Sequence, residues 1–219
     1  MKIAIILSGD LRYYEHCYLS LQKHVLSHTD SHIYMQFYDT KENEKALELY
    51  KPVKYKCEKR EDVIKSLIDC PAGAENIFYQ WRNVKESFLL VDEKENYDFI
   101  LKTRYDVVYT KKLFLKKFKF SSDCINVPDG GDYLGGLFDM VAISSYENMK
   151  YYCSLYDHMN QYTMQDGVHA HPETYLRHHI SVSDIPLKRF DYDVELRKLY
   201  KDIETVENRF FNIRDAHNR

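Results

Sequence analysis

A chain of 219 residues with a formal net charge of −3 is long enough for one full α/β domain and short for two. The slight acidity gives no reason to expect nucleic acid as a partner, and no run approaches the roughly 18 apolar residues a membrane span needs. Five scattered cysteines without a CxxC pair suit reduced thiols in a cytoplasmic compartment better than a disulfide frame or a zinc site.

Residues 2–7 form a continuous apolar run ending in Ser8-Gly9-Asp10, which predicts a buried parallel strand followed by a tight turn. Leu11, Tyr14, Tyr18, Leu21 and Val25 have the spacing of an amphipathic helix over residues 11–25. Residues 33–38 read as a second strand, 42–50 as a helix, 53–57 as extended and 61–68 as a helix. The longest helical candidate, residues 77–91, carries Ile77, Trp81, Val84, Phe88 and Val91 on one stripe. Alternating strands and helices over this half predict right-handed βαβ units and a mostly parallel sheet.

Residues 97–109 are apolar and β-rich, yet carry Arg104 and Asp106 at alternate positions. A period of two sends both side chains to one side of a strand. Two opposite charges at the end of a buried strand suit a metal–diphosphate ligand, Asp106 taking the cation and Arg104 the phosphate oxygens. The alternative is a mutual ion pair. The basic run 111–120 reads as a solvated amphipathic edge. Residues 124–127 form a short strand, and residues 130–136 hold four of the seven glycines. Asp139 is expected to open a strand over 140–143, after which Ser144 or Ser145 caps a helix. Residues 160–171 read as irregular, and Pro172 as the start of a further helix. Asp191-Tyr192-Asp193, the literal DxD, reads as a surface turn, and the polar tail after Asp202 raises the expectation of a longer polypeptide.

Several of these blocks bear on chemistry. The turn Ser8-Gly9-Asp10-Leu11-Arg12 lies where open α/β sheets bind nucleotides, although it is neither GxGxxG nor a P-loop. Arg12 on a first helical turn would oppose the helix dipole unless an anion lay nearby. Trp81 on its apolar stripe reads as core, while Arg82 points elsewhere and is a candidate for the nucleotide side. His169-Ala170-His171 offers a metal ligand by alternate spacing, whereas His178-His179 reads as a solvated or packing pair on a helix.

In order along the chain, the first strand with Ser8 to Arg12, Trp81-Arg82, Tyr97-Asp98 leading to Arg104-Tyr105-Asp106, Phe138-Asp139 to Ser145 with Met149, and His171-Pro172-Glu173 to Leu176 form a recognisable set. The chain resembles the small GT-A-type glycosyltransferases of large DNA viruses (the chlorella-virus type) and of bacterial capsule and lipopolysaccharide clusters. The resemblance implies one GT-A-like, Rossmann-related α/β domain over residues 1–219, its mostly parallel central sheet flanked by helices. A nucleotide-binding half would end near residue 110 and an acceptor half near 205. It implies transfer of a hexose or deoxyhexose from a UDP- or GDP-sugar to a glycan or glycoprotein hydroxyl. In such folds an Asp-x-Asp motif holds Mn²⁺ or Mg²⁺ on the donor diphosphate. Here Arg104 stands at the first Asp position, leaving Asp106, with His171 as a further candidate ligand. Ser8, Gly9, Arg12, Trp81, Arg82 and Arg104 are then the expected donor-binding residues. Asp139 is the first choice for the base and Glu173 the second, with the glycine loop as a lid. Two other classes fit the residues: a non-catalytic carbohydrate- or nucleotide-binding module, and a sugar nucleotidyltransferase, for which residues 8–12 are a poor match.

Overall fold

The continuous apolar run at the N-terminus is strand β1 (Lys2–Gly9), buried on both faces because helices cover the sheet from either side. It lies between two parallel neighbours, β2 (Asp30–Tyr38) and β4 (Phe99–Arg104), and β2 pairs in turn with β3 (Lys54–Glu58), also parallel. The computed structural model describes residues 1–67, 70–113, 118–192 and 194–196. Beyond β4 the sheet continues through β7 (Ala142–Ser144), β6 (Ile125–Pro128) and β8 (Leu187–Phe190), giving the order β3-β2-β1-β4-β7-β6-β8. Strand β7 runs antiparallel to both neighbours, and the other pairings are parallel. A separate pair joins β5 (Val107–Tyr109) to β9 (Val194–Leu196).

Side-chain alternation along β1 divides the core. Ile3, Ile5 and Leu7 face a layer containing α1 (Tyr14–His24) and α2 (Asn43–Tyr50). Ala4 and Ile6 face α4 (Glu75–Phe88), α5 (Tyr146–Cys153), α6 (Leu155–Met164) and α7 (Pro172–Ser181). A short helix, α3 (Arg60–Ser66), follows β3. The fold is a mixed α/β domain with a seven-stranded central sheet flanked by helices. Among the described residues, no helix is long and apolar enough to cross a membrane.

Several boundaries differ from the sequence expectation. Helix α1 starts at Tyr14, so Arg12 lies in the turn before it and not on its first turn, with Asp10 3.6 Å away as an anionic neighbour. The run 97–109 is not one strand. After Arg104 the chain turns at Tyr105, whose hydroxyl donates to the carbonyls of Leu7 (3.4 Å) and Gln36 (3.1 Å), and β5 departs to pair with β9. Asp139 does not open a strand, because β7 begins only at Ala142. The segment expected to be irregular from residue 160 is helical through Met164, since Met159 and Tyr162 are buried on the inner face of α6. Of the late DxD, Asp191 is exposed and Tyr192 is buried, while Asp193 lies outside the described residues, as does the tail.

Candidate functional site

Strands β1, β2 and β3 extend the sheet one way and β4 the other, so the order reverses between β1 and β4. Outside the carboxyl ends of strands at such a switch point, open α/β sheets leave a crevice. A cleft of about 590 Å³ lies there, with Ser8, Gly9, Asp10 and Arg12 from the first turn and Lys102, Arg104, Tyr105 and Asp106 from the end of β4. Asn76, Tyr79, Gln80 and Asn83 of α4 form the opposite wall, and Tyr38 and Arg60 complete it. Ser8 pairs in register with Arg104 on one side and Gln36 on the other. Gly9 has φ +108°, a conformation that L side chains rarely adopt, and its N–H donates to Gln36 Oε1 at 3.3 Å.

Arg104 and Asp106 meet each other. The guanidinium donates from Nε and Nη2 to the two carboxylate oxygens, each at 2.9 Å. This fork-to-fork geometry is the strong form of the pair. Burial opposes the charge on Arg104, but the Asp106 carboxylate more than offsets it and raises the Arg104 pKa. The mutual ion pair and the cleft position therefore coexist: Tyr105 is anchored below the sheet end while its two neighbours line the opening.

Lys102 is the residue that the motif reading passed over. It shares strand parity with Arg104, and is 1% exposed at the base of the cleft. Its Nζ donates to the main-chain carbonyl of Asp139 and lies 5.7 Å from the centre of the Trp81 ring. Burial pushes its pKa down to about 8. A lysine within Phe99-Ile100-Leu101-Lys102, two residues before Arg104, was the available signal. The cleft wall thus carries Arg12, Arg60, Lys102 and Arg104 against Asp10 and Asp106, an excess of positive charge in a chain that is acidic as a whole. At the rim, Asp10 lies 3.6 Å from both Arg12 and Arg60.

Asp139 is buried beside this floor, and its carboxylate accepts from Gln80 of the cleft wall. Glu173, at the first turn of α7, accepts from the Tyr133 N–H and senses the charge of Asp139. Burial, with Asp139 and Asp132 adding to it against the pull of that N–H, raises the Glu173 pKa to about 7. Because this carboxyl binds its proton more tightly in the folded chain, stability should fall as pH rises from about 4.5 to about 7. Glu173→Gln should flatten that part of a melting-temperature profile, and an unchanged slope would contradict the assignment.

The glycine loop is tied down rather than free. Asp132 accepts from Arg189 (2.6 Å), Arg177 (3.2 Å) and the Phe138 N–H (2.9 Å), and Arg177 also reaches the Gly136 carbonyl. A Cβ on Gly136 would lie 2.5 Å from the Glu173 backbone, so this close approach requires glycine. Glu173 and the loop are thereby fixed together next to Asp139.

Of the residues expected at a donor site, Ser8, Gly9, Arg12, Arg104 and Asp106 share the cleft. Trp81 does not reach it. The ring is fully buried among Ala4, Ile6, Ile100 and Tyr152, so it supports the floor and presents no face to a ligand. Arg82 is held by Glu58 through two hydrogen bonds of 2.8 and 3.1 Å, which staple α4 to β3 away from the cleft wall. Burial raises the Glu58 pKa, but Arg82 and Lys56 overcome it and bring it down to about 2. His171 caps α7, accepting from the Glu173 N–H at Nδ1 (3.3 Å), and is not part of the wall that Asp106 lines. Among the described residues, no three His, Cys, Asp or Glu side chains come together as a metal cluster. His179 is a packing residue: it is buried, bonded to Tyr162 and the Tyr151 carbonyl, and lowered by burial to about 4.

No protein-family model matches the sequence, and no curated protein matches it. Among solved structures, the glycosyltransferase GlyE of Streptococcus pneumoniae TIGR4 superposes over 87% of this chain with a TM-score of 0.52 and 14% identity. The chain has a glycosyltransferase-like fold. It spans 45% of the GlyE chain, so less than half of that structure has a counterpart here. At this identity the likeness concerns architecture. The residues of the cleft must argue for their own chemistry.

Proposed function

We propose that the protein is a GT-A-type glycosyltransferase that takes a hexose or deoxyhexose from a UDP- or GDP-sugar to a hydroxyl of a glycan or glycoprotein. The observation that carries this reading is the cationic cleft at the β1/β4 switch point, with a carboxylate, Asp139, buried beside its floor. The glycosyltransferase-like fold supports it. The finer assignment, to the chlorella-virus and bacterial polysaccharide type, rests on the ordered sequence blocks alone.

In this reaction the bond between the anomeric carbon and the β-phosphate oxygen breaks, and its electron pair leaves with the nucleoside diphosphate. The acceptor oxygen forms the new bond to that carbon and gives up its proton. Arg104 and Lys102, both set into the end of β4, oppose the charge that grows on the leaving group. Asp139, oriented by Gln80, receives the acceptor proton. Glu173 is the second candidate, its raised pKa favouring proton exchange near neutrality.

A divalent cation fits this site only as a companion of the diphosphate. Asp106 offers carboxylate oxygens already engaged by Arg104, and Mg²⁺ commonly binds through one or two carboxylates together with substrate phosphates and water. Asp106 would hold Mn²⁺ or Mg²⁺, which would add charge neutralisation at the phosphates. The deciding assay is release of nucleoside diphosphate from UDP- and GDP-sugars, because a binding module turns over neither.

A further inference from the structure

Lys102 is a buried cation whose charge is favoured by the nearby Asp139 and Asp106 but not fully compensated, because burial still outweighs them and lowers its pKa. It is 1% exposed, and among the described residues no carboxylate lies within ion-pair distance of its Nζ. Its bonds go to a neutral carbonyl, that of Asp139, and to the face of Trp81. A methionine would fill the same apolar space without the desolvation that a buried ammonium requires. The depressed pKa reflects that cost. The side chain nevertheless lines the cleft, where the nearby Arg104 is already forked onto Asp106.

We propose that Lys102 binds the distal phosphate of a nucleoside diphosphate, the phosphate that carries the sugar, and so distinguishes diphosphates from monophosphates. This rests on the donor reading given above. Position within the cleft supports the assignment. Arg12 and Arg60, with more than half of each side chain exposed, stand at the mouth, and Lys102 lies at the floor against Asp139. The acceptor proton must leave beside the sugar, and the sugar is bonded to the distal phosphate. A cation touching the residue that takes that proton therefore lies at the junction of sugar and phosphate. The three N–H bonds of an ammonium allow one to hold the Asp139 carbonyl while others meet phosphate oxygens.

The test is calorimetric titration of wild type, Lys102→Met and Lys102→Gln with UDP, GDP, UMP and GMP, with and without Mg²⁺, alongside thermal melts. We expect both variants to melt cooperatively like the wild type. Their affinity for the preferred diphosphate should drop about tenfold or more, as loss of a charge-assisted contact implies, while the matching monophosphate binds within about twofold of wild type. Equal losses for mono- and diphosphates, or no loss for either, would overturn the role of Lys102 and leave the donor reading intact. Failure of both variants to fold would make the lysine structural and overturn it as well. A wild type that binds neither UDP nor GDP would overturn the donor reading, and the inference with it.

Discussion

Asp139→Asn is expected to lower sugar transfer by about two to four orders of magnitude, the usual contribution of a positioned general base. Binding of the nucleoside diphosphate should remain near wild type. The separation follows from how Asp139 is held. Its main-chain carbonyl, not its carboxylate, receives the Lys102 ammonium, so the substitution leaves that contact in place. Its carboxylate accepts from Gln80, and the amide oxygen of asparagine can still accept from the same donor. The variant therefore loses proton affinity while keeping shape. The measurement is steady-state transfer beside calorimetry with the nucleotide. A turnover near wild type would remove Asp139 as the base and turn attention to Glu173, whose own carboxyl lies within electrostatic reach.

Asp106→Asn should change nucleotide binding in two opposed ways. Without a divalent ion, release of the Arg104 fork from its carboxylate frees a guanidinium for phosphate, and diphosphate affinity should rise severalfold. With Mn²⁺, the gain in affinity that the ion confers on wild type should disappear, because the carboxylate that would hold the ion is gone. Stability should fall by about 2 kcal/mol, the scale of a hydrogen bond to a charged group, since Arg104 keeps its burial and loses its counter-charge. Titrations of both proteins with and without Mn²⁺ check this. If the ion strengthens binding equally in both, Asp106 is not its ligand. If the ion changes nothing in either, the diphosphate charge is met by the arginine and lysine alone.

Much of the first half of the chain was legible in the sequence, because its signals are local. An unbroken apolar run marks a strand covered on both faces, and β1 is that strand. The stripe from Ile77 to Phe88 marks α4 to within a turn. What escaped was set by contacts distant in sequence. The break after Arg104 depends on Tyr105 reaching the backbones of Leu7 and Gln36, positions 98 and 69 residues away. Alternation alone would have carried the strand on. Asp139 takes its place from Gln80, 59 residues earlier, and no local pattern announces that pairing.

The site was partly legible for the same reason. Ser8 to Arg12 and Arg104 to Asp106 stand at strand ends and converge once the sheet order is known. The partner of Arg82 was not legible, because helical periodicity shows which way a side chain leaves α4 but not that Glu58 waits there on β3. Lys102 was overlooked for a different cause. A single lysine in an apolar strand reads as noise until Arg104 and Asp106 are seen to continue its parity, and its burial shows only in three dimensions.

Whether the switch-point cleft holds a sugar nucleotide and acts on it is decided by incubating the wild-type protein with UDP- and GDP-sugars and following nucleoside diphosphate release. Slow release by hydrolysis is expected from at least one donor, lost when Arg104 or Lys102 is neutralised and accelerated by a suitable acceptor. Tight binding of a glycan with no release from any donor, and no effect of nucleotide on that binding, would contradict it.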